Sequence, residues 1–420
     1  MNAARLLSIN YGFYNATRML IGVYHAVFLI STGVSLSQLA MLQVVFSVTM
    51  LLLDFPLAVV ADRYHRKYSV IVGVFFTLLF YPLCLRSPDI PSLILSEIFY
   101  GIGICCISGA IEGWVLHSLE DKKTFSGYAH LASRVASLGS IITGITGIGL
   151  AYLYQSYLSG YWLSLVLMTV ILTLFFLIKE NKNSVTSIPA SQSGNVLSYA
   201  VKSIHLLFTS FSGMYYLLIV CLFTFGIQIL YHFWQPIMLS GTVIDKLTTT
   251  QLIVLLTCHI GVFTAQYIVN ALLPKFDIAS RAYRLISLLC ALSGGLLCLV
   301  LLLVVTHYPI VSIVIFSLIH GVTSVIPLSA QNRYLCYLSD EDSIHVSGIT
   351  GAISLISRLS AITALLIVSA LPADFAIHYY LSIPAGAFLL CSVVIARWLI
   401  PPENRQEARD KERPSLINLH

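Results

Sequence analysis

The sequence predicts an all-α integral membrane protein with twelve transmembrane helices in two pseudo-symmetric six-helix bundles. Of its 420 residues, 58% are hydrophobic and only 10% are charged, whereas a soluble domain carries roughly 25% charged residues. Apolar runs long enough to cross a bilayer follow one another along most of the chain. One long polar stretch, from Lys179 to about His205, interrupts them midway and divides the predicted helices six and six. Lipid is therefore expected to be the main solvent of this protein.

The predicted spans meet the requirement that a bilayer core places on a helix, about 20 apolar residues. Turn and helix-breaking residues separate neighbouring spans, as at Ser87-Pro88 and Leu371-Pro372. In the first half the predicted spans are 11–32, 37–61, 68–86, 91–119, 124–152 and 160–178. In the second half they are 212–240, 247–273, 280–306, 309–338, 343–371 and 374–400.

The chain divides into four predicted segments. These are a bundle over 1–178, a cytoplasmic linker over 179–211, a bundle over 212–400 and a cytoplasmic tail over 401–420. The linker is rich in Ser, Asn and Lys and is predicted to be flexible, with a short interfacial helix near 199–207. A weak internal repeat relates the halves, since Ser133-Arg134 in the fifth span parallels Ser357-Arg358 in the eleventh. Repeats in corresponding helices favour two bundles of the same orientation.

Lys and Arg residues near the spans predict how the chain is oriented. With the amino terminus inside, the inner loops hold eleven such residues and the outer loops hold two, Arg86 and Lys246. Because positively charged loops stay on the cytoplasmic side, both termini are predicted to be cytoplasmic in a bacterial-type inner (plasma) membrane. Polar residues interrupt the first apolar run and no small-residue cleavage site ends it, so this run is expected to be a retained helix.

The sequence lacks the motifs that are typical of metal sites, of common enzymes and of ATPases. The nine cysteines lie almost entirely in apolar runs, with no CxxC pair and no Cys/His spacing typical of zinc, so no metal site is predicted. The motifs of metalloproteases, serine hydrolases and P-loop ATPases do not occur in the sequence. We therefore expect no enzymatic activity, no direct use of ATP, no cofactor and no nucleic-acid partner.

Ionisable residues inside apolar spans are the strongest indication of a site. An Arg at the centre of a span costs about 2.5–3.5 kcal/mol on insertion scales, and Arg18, Arg134 and Arg358 all fall inside predicted spans. Clearly one intramembrane acid, Glu112, accompanies them, with Asp54 nearer the inner end of the second span. The guanidinium groups are predicted to border a hydrated cavity for an anionic or carboxylate-bearing solute, because Arg binds carboxylates bidentately. Alternatively, Glu112 pairs with Arg134, and Arg358 caps backbone carbonyls.

Polar stripes at helical spacing place further side chains beside this cavity. The stripe in the first span comprises Tyr11, Asn15, Arg18, Gly22 and His25, and that in the seventh comprises Thr224, Gln228, Tyr231, His232 and Gln235. The candidate solute ligands are Arg18, His25, Arg134, Gln228, His232, His259, His320 and Arg358. Alternatively, each histidine is a hydrogen-bonded packing residue. Glu112 and Asp54 are the candidates for proton coupling, with a static ion pair as the alternative for Glu112.

The loop after the second span carries a recognisable motif. It reads Ala58-Val59-Val60-Ala61-Asp62-Arg63-Tyr64-His65-Arg66-Lys67. This resembles the signature of the major facilitator superfamily, roughly G-x-x-x-D-R-x-G-R-K, in which both glycines are here replaced, by Ala58 and His65. Asp54-Phe55-Pro56 and Glu112-Gly113-Trp114 are similar to further steps found in members of that family. Together with the span count and the central linker, the resemblance extends over most of the chain.

The resemblance implies a function and a role for this loop. A member of this family is a secondary transporter that works by alternating access, with helices 1, 4, 7 and 10 lining the pathway. Asp62, Arg63, Arg66 and Lys67 would form a conformational latch, with Asp62 meeting the end of the eleventh helix. We expect a monomer in the lipid bilayer that moves a small, anionic or carboxylate-bearing solute, driven by the proton gradient. A drug/proton antiporter and a non-transporting receptor of the same fold are the alternatives.

Overall fold

The computed structural model describes residues 3–63, 66–86, 89–108, 110–119, 125–178, 205, 207–239, 247–272, 280–305, 307–335, 346–372 and 375–399. Its helices in the first half are α1 (Ala3–Gly22), α2 (His25–Ser31), α3 (Leu36–Arg63), α4 (Arg66–Arg86), α5 (Ile90–Ile107), α6 (Ala110–His117), α7 (Phe125–Leu153) and α8 (Leu158–Leu177). Those in the second half are α9 (Phe211–Met238), α10 (Thr249–Leu272), α11 (Ser280–Val304), α12 (Pro309–Thr323), α13 (Val325–Leu335), α14 (Val346–Ser369) and α15 (Ser382–Leu399), which a 3₁₀ turn (Ile377–Leu381) precedes.

All twelve predicted spans are present, three of them as broken helices. The first span consists of α1 and α2, which are separated at Val23-Tyr24. The fourth consists of α5 and α6, and the tenth consists of α12 and α13 with a break at Ser324. A break frees backbone N–H and C=O groups, and these need partners inside the protein because lipid offers none. The broken spans are therefore places where side chains of other helices can insert.

The first span begins earlier than the sequence predicts, at Ala3 instead of residue 11. Its polar residues lower the hydropathy of this region, but the fold buries Asn10 and Thr17 against protein. Ten helices of the described ranges are long and apolar enough to cross a membrane by length and composition alone. The first and the eleventh spans are outside that set. In the eleventh, the apolar part of α14 is shorter and covers Ile353–Ser369.

The helices form two bundles that touch along three seams. In the first bundle α1 packs against α7 and α8, and α5 packs against α3 and α4. In the second, α9 packs against α14 and α15, and α11 packs against α12, α13 and α15. The bundles meet where α3 contacts α14, α7 contacts α10, and α2 contacts α9. Glycine permits the close approach of α1 and α7, because a Cβ at Gly147 would collide with the carbonyl oxygen of Leu20.

The four-segment division stays a prediction. Most of the predicted linker over 179–211, including nearly all of its interfacial helix near 199–207, lies outside the described residues, and so does the whole tail over 401–420.

Candidate functional site

A cavity of about 170 Å³, here called the central cavity, lies where the first bundle faces α9. Its polar lining consists of Arg18, His25, Gln43, Tyr81, Glu97, Tyr100, Tyr231, His232 and Gln235. The predicted polar stripes of the first and seventh spans therefore meet here. Each stripe contributes three residues. These are Arg18, Gly22 and His25 from the first span, and Tyr231, His232 and Gln235 from the seventh.

Arg18 lies in this cavity among neutral partners. Its Nε donates to the hydroxyl of Tyr100 at 2.5 Å, and its Nη1 donates to Asn15 Oδ1 at 3.2 Å. The guanidinium carbon lies 4.9 Å from the ring centre of Tyr100 and 5.6 Å from that of Tyr14, within cation–π range. Within the described part of the chain, no carboxylate pairs with Arg18. The side chain is thus held in place while three of its five N–H donors have no hydrogen bond among the described residues.

Glu97 is a site residue that the sequence reasoning missed. It lies on α5, lines the central cavity and is only 4% exposed. Gln43 Nε2 donates to Glu97 Oε1 at 3.4 Å, and no ion pair involves Glu97 among the described residues. The sequence analysis counted Glu112 as the one clear intramembrane acid, and Glu97 is a second acid in the same predicted span. Residue 97 falls inside the predicted span 91–119, so a count of every acid within the spans would have found it.

Two predicted histidine ligands also line the central cavity, one from each bundle. His25 Nδ1 lies 2.5 Å from the hydroxyl of Tyr161, and His232 Nε2 lies 2.9 Å from Gln228 Oε1. Gln228 thus supports His232 and does not itself line the cavity. Both imidazoles are oriented by neighbours of their own bundle, so that the cavity has a fixed polar wall on either side.

Gln235 joins the two bundles across the break in the first span. Its Nε2 donates to the carbonyl oxygen of Gly22 at 2.6 Å, and its Oε1 accepts from the backbone N–H of Ala26 at 3.0 Å. One side-chain amide therefore satisfies a freed acceptor at the end of α1 and a freed donor at the start of α2. We call this pair of hydrogen bonds the Gln235 clasp.

Further contacts close the protein on the side predicted to face outward. Ser37 Oγ donates to the carbonyl oxygen of Ser369 at 2.7 Å. The hydroxyls of Tyr152 and Thr249 lie 3.0 Å apart. Each contact joins one bundle to the other near the predicted outer ends of their helices. The clasp, together with these contacts, indicates a state in which the central cavity is shut off from the outer side.

Replacing Gln235 with alanine is expected to loosen this outer closure. The variant loses two hydrogen bonds, each contributing about 0.5–1.5 kcal/mol, which shifts the equilibrium roughly 5- to 150-fold toward the outward-open state. Electron paramagnetic resonance with spin labels at the exposed positions Gln155 and His307 would measure the shift as a larger fraction of long distances. Gln251→Ala is the matched control, because Gln251 accepts only from the nearby Thr248 N–H. An unchanged distance distribution, or an equal shift in Gln251→Ala, contradicts the role of the clasp.

The other predicted histidines lie apart from the central cavity. His259 is buried between α10 and α7, where its Nε2 lies 2.8 Å from the carbonyl oxygen of Ser140. His320 is buried on α12 against the rings of Tyr231 and Phe316, and its Nδ1 has no partner among the described residues. His259 therefore belongs to a seam between the bundles, and His320 lies behind Tyr231, one residue layer away from the cavity.

Arg358 and Asp54 lie at the seam between α3 and α14. Ser354 Oγ donates to Asp54 Oδ2 at 3.4 Å. Arg358 follows Ser354 by four residues on α14, so the two side chains share one helix face. Neither Arg358 nor Asp54 lines the central cavity. The structure thus separates Arg358 from Arg18, with which the sequence grouped it.

Glu112 lines a second cavity, of about 160 Å³, between α1, α6 and α7. Asn15, the acceptor for Arg18, also lines this cavity and so lies between it and the central cavity. Arg134 is exposed and lines neither cavity. It shares a face of α7 with Leu138 and Ile142, both exposed. Within the described residues Glu112 and Arg134 form no ion pair, which disfavours the alternative in which they are partners.

The structure describes the side chains of two of the four predicted latch residues, Arg66 and Lys67. The side chains of Asp62 and Arg63 are outside the described part of the chain. Arg66 Nη1 donates to the carbonyl oxygen of Gly113 at 3.5 Å. Lys67 Nζ donates to the carbonyl oxygens of Phe176 and Ile178 at 2.9 and 2.7 Å, at the carboxyl end of α8. Both described basic residues therefore bind backbone carbonyls within the first bundle, and the latch itself stays a prediction.

Two six-helix bundles around a polar cavity are the architecture of a polytopic membrane protein. The sequence profile of the Major Facilitator Superfamily matches residues 7–338, and the chain belongs to this superfamily. It is accordingly a multi-pass membrane protein and a secondary transporter of a small molecule, and it is not an enzyme.

Individual relatives agree with this assignment. The uncharacterized MFS-type transporter YxaM of Bacillus subtilis (strain 168) is 27% identical over 175 residues, which cover 40% of this chain and 42% of that protein. A mutant of the nucleoside transporter NupG has a TM-score of 0.71 at 12% identity and covers 95% of this chain and 99% of its own. A mutant of the E. coli fucose:proton symporter FucP has a TM-score of 0.61 at 15% identity and covers 94% and 98%. At these identities the structural likeness shows the fold alone.

Proposed function

We propose that this protein is a proton-coupled secondary transporter of a small anionic solute, with Arg18 as the anion-binding group and Glu97 as the proton carrier. The solute carries a carboxylate or a similar anionic group. The observation that carries this proposal is the guanidinium of Arg18, which borders the central cavity without any carboxylate partner among the described residues.

The cavity presents hydrogen-bond donors that suit an anion. Tyr81 is only 1% exposed and lines the cavity, and its hydroxyl has no hydrogen bond among the described residues. Tyr231 on the opposite bundle is 45% exposed and also lines the cavity, and its hydroxyl likewise has no hydrogen bond among the described residues. Because hydroxyls and the guanidinium all donate, a solute rich in acceptors satisfies them together. Hydrogen bonds from a cation to a carboxylate are roughly twice as strong as neutral ones.

Glu97 is better suited to carry the proton than Glu112 or Asp54. It shares the central cavity with Arg18, whereas Glu112 lines the second cavity and Asp54 lies at the α3–α14 seam. A buried carboxyl whose only partner is an amide is costly to keep ionised. With Glu97 neutral the cavity carries the single positive charge of Arg18, and loss of the proton cancels that charge. Proton binding therefore favours anion binding, which is the coupling that symport requires.

The size of the central cavity disfavours a drug/proton antiporter. Its volume of about 170 Å³ is below the roughly 300–1,000 Å³ of pockets that hold drug-sized ligands. A neutral polar solute is the second candidate, since the two structural relatives are a nucleoside transporter and a fucose:proton symporter. The aromatic rings of Phe80 and Tyr100 in the lining favour it, because they can pack against a sugar or base ring.

The remaining features of the proposal follow from the sequence and the position of the cavity. The proton gradient is the energy source, and no cofactor takes part. One chain forms the whole cavity, so a monomer suffices. Both termini lie on the cytoplasmic side of a bacterial-type inner membrane, as the placement of Lys and Arg predicts.

Uptake by proteoliposomes, with and without an imposed pH gradient, tests the proposal. Pairs of solutes that differ in one charge, such as galacturonate with galactose and lactate with lactamide, separate the anionic from the neutral candidate. We expect an acid of the panel to bind and to accumulate when the outside is acidic, while its neutral counterpart does neither. Uptake of a neutral sugar or nucleoside would replace the anion proposal, and export of lipophilic cations would favour the antiporter. Binding without any flux would indicate a receptor.

A further inference from the structure

A third cavity lies apart from the central cavity and shares no lining residue with it. It has a volume of about 470 Å³ and lies between α1 and α8. We call it the inner-leaflet groove, and its apolar walls are formed by Leu6, Ile9 and Phe13 on α1, by Leu174 and Leu177 on α8, and by Ile178 directly after α8. Phe13 is 49% exposed and Leu177 is 71% exposed. In a membrane protein such an opening faces lipid, so its occupant is expected to be apolar.

The floor of the groove is fixed by a polar contact between its two helices. Asn10 lines the groove but is itself buried, and its Nδ2 donates to the carbonyl oxygen of Ile171 at 3.5 Å. This contact joins α1 to α8 at the bottom of the groove. The groove is therefore a hollow between two helices that remain in contact at its floor.

The length of the groove matches one leaflet of a bilayer. Its lining on α1 runs from Ala3 to Phe13, which at 1.5 Å per residue corresponds to about 15 Å. The hydrocarbon core of a bilayer is about 30 Å thick, so one leaflet contributes about half of that. The groove thus has the reach of a single acyl chain that enters from the predicted cytoplasmic surface.

Basic groups lie at the end of the groove where a lipid headgroup would be. Lys67 Nζ donates to the carbonyl oxygens of Phe176 and Ile178 at 2.9 and 2.7 Å, which leaves one of its three N–H donors for a headgroup, and Ile178 lines the groove. Arg5 is exposed on the first turns of α1, two residues after Ala3 and four before Ile9, both of which line the groove. Two cations at the mouth of an apolar groove favour a ligand with an anionic head and an apolar tail.

We propose that the inner-leaflet groove binds an anionic phospholipid of the predicted cytoplasmic leaflet. One acyl chain lies along α1 and α8, and the phosphate lies between Arg5 and Lys67. Each basic side chain near the surface is expected to contribute on the order of a fivefold preference for the anionic lipid. This site does not rest on the proposed substrate or on proton coupling.

Quenching of tryptophan fluorescence by brominated lipids in vesicles tests this proposal on the full chain. Phe13→Trp places a probe in the groove, and Leu174→Trp provides a second probe should the first disturb folding. Leu138→Trp, at a position that is 50% exposed on α7, is the control outside the groove. The signal of the parent protein, with its four native tryptophans, is subtracted in each case. Vesicles contain either brominated phosphatidylglycerol or brominated phosphatidylcholine in an otherwise identical background.

From the quenching of the groove probes, we expect an apparent affinity for phosphatidylglycerol at least tenfold higher than for phosphatidylcholine. At the control probe the two apparent affinities should differ less than twofold. Arg5→Gln should reduce the preference about fivefold, whereas Arg86→Gln, at the predicted outer surface, should leave it unchanged. Lys67→Arg keeps the charge and should retain the preference. Equal quenching by both lipids at the groove probes, or a preference that Arg5→Gln does not reduce, would overturn the proposal.

Discussion

Replacing Arg18 with alanine is expected to abolish uptake of the anionic solute, with a fall in kcat/KM of at least two orders of magnitude. Among the described residues, Arg18 is the one Lys or Arg that lines the central cavity. Its guanidinium would pair with the anionic group of the solute, and loss of one member of a buried charge pair costs about 3–5 kcal/mol. That range corresponds to roughly 150- to 5,000-fold. Initial rates of labelled solute uptake at several concentrations, in proteoliposomes of equal protein content, measure the loss.

Two further variants distinguish the loss of an anion site from a general defect. Arg18→Lys keeps the charge but lacks the planar fork that binds a carboxylate bidentately, so we expect an intermediate rate. Arg134→Ala removes an exposed guanidinium that lines neither cavity, and it should retain most of the activity. If Arg18→Ala transports as well as Arg134→Ala, Arg18 does not bind the solute. A neutral solute transported equally by Arg18→Ala and the parent protein leads to the same conclusion.

Replacing Glu97 with glutamine is expected to remove proton coupling while leaving solute exchange intact. The substitution keeps the shape of the side chain and mimics its protonated state, and the amide of Gln43 can still bind it. Accumulation driven by an acidic exterior should fall at least tenfold, whereas exchange of internal for external solute should continue at a comparable rate. The exchange rate of the variant should also lose its dependence on pH, because the proton no longer binds at this position.

Measurements of both modes in the same vesicles decide the role of this acid. A pH-sensitive dye inside the vesicles reports solute-driven proton entry, which should be absent in Glu97→Gln. Glu112→Gln is the matched control, since Glu112 lies in the second cavity. If Glu112→Gln loses proton entry and Glu97→Gln retains it, the coupling residue is Glu112. If Glu97→Gln loses exchange as well as accumulation, Glu97 binds the solute instead of carrying only the proton.

Much of the lining of the central cavity follows the helical period of the sequence. Arg18, Gly22 and His25 share one face of the first span because residues three or four apart lie above one another on a helix. Tyr231, His232 and Gln235 do so in the seventh span, and the fold brings both stripes to the same hollow. By contrast, the free-energy cost of placing a guanidinium in lipid is the same for every intramembrane arginine. This cost therefore could not separate Arg18 from Arg134 and Arg358, whose surroundings depend on which helices pack beside them.

The sequence by itself determined the membrane setting, the twelve spans and the polar faces of individual helices, because these follow from hydropathy and helical period alone. Only the tertiary structure decided which faces meet. The Gln235 clasp joins residues 213 positions apart in the chain, and Glu97 is paired with a glutamine 54 residues away on another helix. Such partners depend on helix tilt and on the breaks in the first, fourth and tenth spans. Neither is encoded in the spacing of residues along any one helix.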